Sequence, residues 1–598
     1  MVIDKETFPF LFQEIGKYVP EDAISFTFRT DEALVSDPEL DDAFAIVSNA
    51  EEKRCEITGS NRRSLLFGFY TFLRKCGYEW LFPGTEGERR PKVFAQTSFR
   101  LAEKAGNRYR GIVLEGANSI DHLLALVDYL PKLCFNSYFI QFFNPYYFFR
   151  NWYEHVHNPL LQDGTVFPFV KAMEYKRELI AELKRRGLMV HDVGHGWTGK
   201  VLGIETLGWD ALQGSERKSL EEKNRPLFAL VHGKREFHDG IPANTQLCYS
   251  NSDVRQRIAD AVAGYAAEHR DVDYLHVWLA DEFNNMCECD ECRKKRPSDW
   301  YVMTLNAIDA ELQERNLSTK IVFLLYNDLL WPPKEERIAN PSRFVMMFAP
   351  IGRSFEKNLA EGSPAPMRPY EYNRITLPSD TQENLTYLKG WQECFSGDAF
   401  DFDYHLGRAH YGDFTYHKIS GILAEDIHAL PGIGLSGMLM CQENRAFFPT
   451  GLPDYIAGRM LWDPKEDFEH ISQTYYGMCF KEPDVAVAFF KEASLHTDMD
   501  LWNAHYPFPA ERRGKRLLGL SPICDKYRLL TTDENLIAII DYSKLFAEAL
   551  GFAALGDNSH WDGIIACIRN YEKDHPDRLD CFRPLDLMKR AFHVDLGE

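Results

Sequence analysis

Two adjacent carboxylates, Asp281 and Glu282, close a run that reads Tyr274-Leu-His-Val-Trp-Leu-Ala280. The run is apolar and of strand length, which predicts a buried strand ending in two acids. A parallel barrel presents its catalytic groups in this way, from the C-terminal ends of its strands. Glycoside hydrolysis needs an acid to protonate the leaving oxygen and a second group to attack or stabilise the anomeric centre. Neighbouring strand residues point to opposite faces, but where the backbone turns at a strand end both can meet one substrate. The pair suits the substrate-assisted variant, with Glu282 as the acid and Asp281 orienting a 2-acetamido group whose carbonyl oxygen attacks. Glu282 would need its pKa raised by an apolar wall such as Trp278 or Phe283. The bland alternative is a solvated acidic turn.

Cys287, Cys289 and Cys292 follow within six residues. Three thiolates at this spacing converge on one zinc ion when a fourth ligand arrives from elsewhere, and Cys248 or a loop histidine would supply it. Such a site would be structural. The alternative is a loop of reduced cysteines under the barrel rim. No His-rich open site is present, so no metal or other cofactor is expected in the chemistry.

The elements that must position these residues show in the hydrophobic pattern. From about 105 to 462, buried strands alternate with amphipathic helices, the signature of a parallel sheet. Eight strand candidates begin at Tyr109, Asn136, Gly187, Asp273, Thr319, Arg343, Gly397 and Gly434. The fold class is therefore α/β, a central (β/α)8 TIM barrel. Residues 1–104 read as a small α/β domain in front of it, with a helix over Arg63–Leu73 capped by Ser60 or Asn61. Residues 463–598 read as an all-helical domain that borders the site or forms a homodimer contact.

Strand ends nominate the rest of a polar, aromatic-rimmed cleft. His195 and Trp197 follow the third strand in His191-Asp-Val-Gly-His-Gly-Trp, and Trp278 lies on the fourth. Tyr326 and Asn327 follow the fifth, Asp403 and Tyr404 the seventh, and Glu443 the eighth. The loop from Gly196 to Asn251 is long and polar, and long ordered loops in compact domains are usually functional.

The chain has 598 residues, 45% of them hydrophobic and 14% aromatic, enough for several cores. A formal net charge of −21 disfavours nucleic acid and anionic membranes as partners. An oligosaccharide or glycan fits the aromatic share better, because ring faces stack on sugars. No apolar stretch is long enough to span a membrane, and no leader is visible. With 13 scattered cysteines this favours a reduced, cytoplasmic protein, or a secreted one if a leader has been removed. Phosphate-binding glycine loops and a Gly-x-Ser-x-Gly elbow are absent.

Two resemblances sharpen the reading. His276-Val-Trp-Leu-Ala-Asp-Glu282 resembles the H-x-G-G-D-E segment of family 20 hexosaminidases, with Leu279 and Ala280 in place of the glycines. Tyr109-Arg-Gly-Ile-Val-Leu-Glu115 resembles their first strand. This resemblance implies that Arg110 holds sugar hydroxyls, that Tyr404 bonds the acetamido group and that Glu443 binds outer hydroxyls. Residues 1 to about 100 also resemble the small domain that precedes the barrel in family 20 enzymes and family 67 α-glucuronidases. Leu247-Cys-Tyr-Ser-Asn-Ser-Asp-Val-Arg255 and Cys287-Glu-Cys-Asp-Glu-Cys292 resemble the domain-of-unknown-function family 4838 over most of the first 460 residues. That family contains glycoside hydrolase family 163, endo-β-N-acetylglucosaminidases acting on complex N-glycans.

Together these imply a retaining hydrolase of β-linked N-acetylhexosamine. Two other readings stay open. One is an exo-acting hydrolase of uronic or neutral sugars, with a second carboxylate from Asp403 or Glu443. The other is a non-catalytic carbohydrate-binding barrel.

Overall fold

In a computed structural model, residues 1–445, 447–501 and 510–597 are described. The eight apolar runs form one closed parallel barrel. Its strands are β1 (Tyr109–Leu114), β2 (Ser137–Gln141), β3 (Met189–Gly194), β4 (Tyr274–Val277), β5 (Lys320–Leu325), β6 (Phe344–Phe348), β7 (Asp398–Asp401) and β8 (Gly437–Gln442). Seven start within two residues of the positions read from the sequence. The eighth starts later because Leu430–Ile433 forms a 3-10 turn and Gly434 takes φ +77°, so the chain turns before it pairs.

Period-two alternation sorts the strands inside and out. Tyr274 and Trp278 point into the barrel with Tyr109, Phe139, Phe400 and Phe402, whereas Leu275, Val277 and Leu279 pack outward on the helices. The lumen is therefore filled by side chains, these aromatics among them, with Val113, Met189, Val322 and Met347 between them. His276 joins the lumen and meets His191 of β3, Nε2 to Nδ1, at 2.9 Å. Burial keeps His276 uncharged, pushing its pKa well below the usual histidine value.

Ahead of the barrel, Val2–Ile3, Ser25–Thr30, Arg54–Gly59, Ala43–Asn49 and Phe99–Lys104 form a five-stranded sheet in that spatial order. The helix Arg62–Lys75 covers it, with Asn61 as the cap through its side chain to the Ser64 N–H. A buried ion cluster bolts this sheet to the barrel. Asp42 accepts from Arg63 Nε at 2.8 Å and from Arg110 Nη2 at 2.6 Å. Arg110 is fully buried and also donates to the carbonyls of Cys134 and Asn107.

The expected sugar contact of Arg110 is thus not what the fold provides. Arg110 lies near the N-terminal end of β1, opposite the strand ends where a ligand would bind, and its donors are spent on protein acceptors. Breaking such a buried pair costs about 3–5 kcal/mol, because the partner charge stays behind without water.

After β8 the chain is helical, from Leu452–Trp462 to Phe582–Phe592. No helix among the described residues is long and apolar enough to cross a membrane. All 13 cysteines are unpaired.

Candidate active site

Above the aromatic lumen, at the C-terminal ends of the strands, lies a cavity of about 510 Å³. Asp281, Glu282, Glu115 and Glu443 line it, together with His195, Trp278, Tyr326, Asn327 and Tyr404. The strand-end logic of the sequence thus places six nominated side chains besides Asp281 and Glu282 at one cavity.

β4 ends at Val277, its ladder extends once more through Trp278 N–H to the Gly194 carbonyl, and then the backbone turns. This turn allows both Asp281 and Glu282 to face the cavity. Asp281 is held from all sides. Its amide donates to the Ala243 carbonyl at 3.0 Å, and its own carbonyl accepts from Asn327 Nδ2 at 2.7 Å. Its carboxylate accepts from Trp209 Nε1 at 2.8 Å and faces His195 Nε2 at 3.3 Å.

The electrostatics follow from these contacts. Burial pushes the Asp281 pKa up, but His195, Trp209 and the Tyr326 hydroxyl outweigh it and hold it at about 2. His195 Nδ1–H donates to the Leu279 carbonyl at 2.9 Å. A neutral His195 would therefore turn the lone pair of Nε2 toward a carboxylate. Burial opposes its charging, yet Asp281 raises its pKa above the ordinary histidine value. Each partner therefore favours the charged form of the other, in a site of restricted water access.

Glu282 sits beside this pair, with Oε1 accepting from the Phe283 N–H at 3.0 Å. Trp278 and Phe283, the apolar walls anticipated for it, both border the cavity. The Trp278 indole N–H and the Gln141 amide oxygen are buried there without a protein partner.

Glu115 is the carboxyl that sequence reasoning passed over, although it closes the quoted β1 run. Burial drives its pKa up to about 7, with Arg583 opposing and Glu443 and Asp281 adding to the rise. Glu443 pairs with Arg408 Nε at 3.0 Å. Trp209, Gln141, Arg408 and Arg583 were also missed. Trp209 comes from the long polar loop after β3, which the sequence marked only as functional. Arg583 comes from the helix Phe582–Phe592, donating to the Glu115 carbonyl from Nε and Nη2 at 3.2 and 3.1 Å. Nothing local in sequence links residues so far apart.

Besides Arg110, two nominated residues stand away from the cavity. Trp197 is 1% exposed, packs on Phe143 and Tyr265, and gives its indole N–H to the His276 carbonyl, so it braces β3 and β4. Asp403 is buried against Arg353 at 3.0 Å, in a cluster with His405 and Asp426. A cation already occupies that cluster, so Asp403 is not the second carboxylate of the cavity.

The three loop cysteines converge with Cys248, all four sulfurs lying within 4.8 Å of one another. The loop histidines do not join them.

Comparison with known proteins agrees with this architecture. Residues 205–488 match the family model described as Domain of unknown function (DUF4838). The match begins in the loop after β3 and runs into the helical region, leaving out β1–β3. No curated protein sequence matches the chain. Among solved structures, a Family 89 glycoside hydrolase from Clostridium perfringens, in complex with PUGNAc, is 13% identical at TM-score 0.53. That alignment covers 98% of this chain and 65% of the other, so the chain spans just under two thirds of that enzyme's length. A family GH115 4-O-methyl-α-glucuronidase with specificity for decorated arabinogalactans is 12% identical at TM-score 0.55, covering 96% of this chain and 72% of that one. A GH138 enzyme targeting pectin rhamnogalacturonan II is 10% identical at TM-score 0.50, covering 93% and 67%. At these identities the likeness is one of fold. Residues 205–488 thus match the DUF4838 model, within a chain whose (β/α)8 barrel resembles in fold those of the glycoside hydrolases named above.

Proposed function

We propose that the protein is a glycoside hydrolase that cleaves β-linked N-acetylhexosamine with retention, the substrate's own acetamido oxygen acting as nucleophile. The observation that carries this reading is the Asp281 carboxylate, ionised and fixed by Trp209, His195 and Tyr326 beside Glu282. Glu282 protonates the leaving oxygen and then, as the base, activates water. Asp281 orients the acetamido group and stabilises the positive charge that develops on the oxazolinium intermediate. Trp278, Tyr326 and Tyr404 give the sugar a ring-faced, polar-tipped wall. The Family 89 neighbour's complex with PUGNAc supports a pocket of this kind accepting an acetamido sugar.

A second reading keeps Glu282 as the acid and takes Glu443 as the second carboxylate, for a uronic or neutral sugar. The position of Glu443 on the same cavity favours keeping it. The discriminating experiment is hydrolysis of a nitrophenyl sugar panel and one complex N-glycan by wild type, Glu282→Gln, Asp281→Asn and Glu443→Gln. On the first reading the N-acetylhexosaminide is cut, and the first two substitutions each lower kcat by at least about a hundred-fold. A thiazoline analogue of the intermediate then inhibits. Turnover of a glucuronide, indifferent to Asp281→Asn and abolished by Glu443→Gln, would replace it with the second. Binding without turnover of any panel member would leave a carbohydrate-binding barrel.

A further inference from the structure

We propose that Cys248, Cys287, Cys289 and Cys292 form a structural tetrathiolate zinc site that clamps together the two loops carrying the catalytic dipeptide and its backing. A tetrahedral zinc with sulfur ligands at about 2.3 Å has sulfur–sulfur edges of about 3.8 Å. Cys248 Sγ lies 3.8 Å from Cys289 Sγ and 3.8 Å from Cys292 Sγ. These separations are far beyond the roughly 2.05 Å of a disulfide. Four cysteines also account for the whole ligand set, so the site is closed and has no position left for catalytic water.

The surroundings fit a complex with a net double negative charge. Backbone N–H groups of Leu230, Ser250 and Cys292 donate to the sulfurs of Cys287, Cys292 and Cys289 at 3.3, 3.4 and 3.4 Å. The Arg235 guanidinium lies beside Cys248. Donors of this kind orient metal ligands and spread their charge. Ala229, Leu230 and Val231 close the cluster from one side.

The clamp reaches the cavity through two short segments. Residues 241–248 and 281–292 run together, joined at the cavity end by Asp281 N–H to the Ala243 carbonyl and by Asn285 Nδ2 to the Asn244 carbonyl at 2.7 Å. The cysteines join them at the other end. Zinc would therefore add a fastener at the end of the loops remote from the cavity, beside the packing of Phe228, Leu247 and Met286.

The test uses the full chain and readouts independent of any hydrolase activity. Elemental analysis of protein supplied with zinc is expected to give about one zinc per chain. Cobalt substituted for it should give sulfur-to-cobalt charge-transfer bands and the visible bands of tetrahedral coordination. Cys289→Ser, the least buried position of the four, should weaken metal retention by at least about ten-fold, whereas Cys394→Ser, remote from the cluster, should not. Chelation should speed amide hydrogen exchange in 227–250 and 281–294. A wild-type chain that takes up no zinc with four freely titrating thiols, or cobalt without thiolate bands, would overturn the site. Exchange unchanged by chelation would overturn the clamp.

Discussion

At the scale of single residues, the site is a problem of carboxyl groups crowded at one end of a barrel. Asp281, Glu282, Glu115 and Glu443 share one cavity, and like charges there cannot all ionise cheaply. The chain resolves this by treating them differently. Asp281 receives three hydrogen-bonding partners and stays charged, Glu443 receives Arg408, and Glu115 keeps its proton up to about pH 7. The sign for stability is then determined. Between the unfolded glutamate value of about 4.3 and about 7, the native chain holds a proton on Glu115 that the unfolded chain has released. The native state binds more protons, so unfolding free energy falls as pH rises through that window. Glu115→Gln carries no titrating proton and should flatten the fall by up to about 1.4 kcal/mol per pH unit relative to wild type. Denaturant unfolding of both proteins at a series of pH values from 4.5 to about 7.5 measures the difference. Equal slopes would mean that Glu115 ionises normally. The carboxyl dipeptide was legible because a buried strand ending in acids is a local pattern, whereas the Glu115 shift depends on burial in the folded cavity and, less, on Glu443 and Asp281, which no local pattern joins to it.

At the scale of elements, the strands were legible and the loops were not. Barrel strands are continuous apolar runs because both faces are buried, so their positions survive in sequence almost unaltered. Loop 196–251 has no such constraint, and its contribution rests on single contacts made after folding. The clearest is Trp209, whose indole N–H holds Asp281 while its ring edge packs on Phe142 and Tyr147. Arg110 illustrates the opposite error. Its motif resemblance pointed to sugar, but its position near the start of β1 rather than the end turned it toward Asp42. Trp209→Phe keeps most of the packing and removes only the donor to Asp281. A hydrogen bond to a charged group is worth about 1.5–3 kcal/mol, so kcat should fall about ten- to hundred-fold, with the melting temperature nearly unchanged. If the loop served only to cover the barrel, the same substitution would leave kcat alone.

At the scale of the whole molecule, the cavity is not completed by the barrel. The helix Phe582–Phe592 lays Arg583 across the rim, its guanidinium over the rings of Tyr147 and Trp209 at 5.8 and 5.7 Å. Its two donors meet the Glu115 carbonyl, so one side chain ties the last helix to β1, to the β3 loop and to the proton balance of the site. This explains how a helical tail with no strand and no motif of its own comes to line the cavity. It also sets a prediction that separates a bracing role from a functional one. Arg583→Met retains apolar bulk against the aromatic rings but removes the charge that opposes the Glu115 shift. The Glu115 pKa should therefore rise further, and kcat/KM should fall about ten- to hundred-fold, while Leu585 and Met588, fully buried on the same helix, keep it docked. Arg583→Lys should recover part of the loss, since it restores the charge without the paired donors. Melting temperature, kcat/KM and its pH profile for the two variants decide the matter. A helix that merely braces the barrel would show a lower melting temperature in both and an unmoved pH profile.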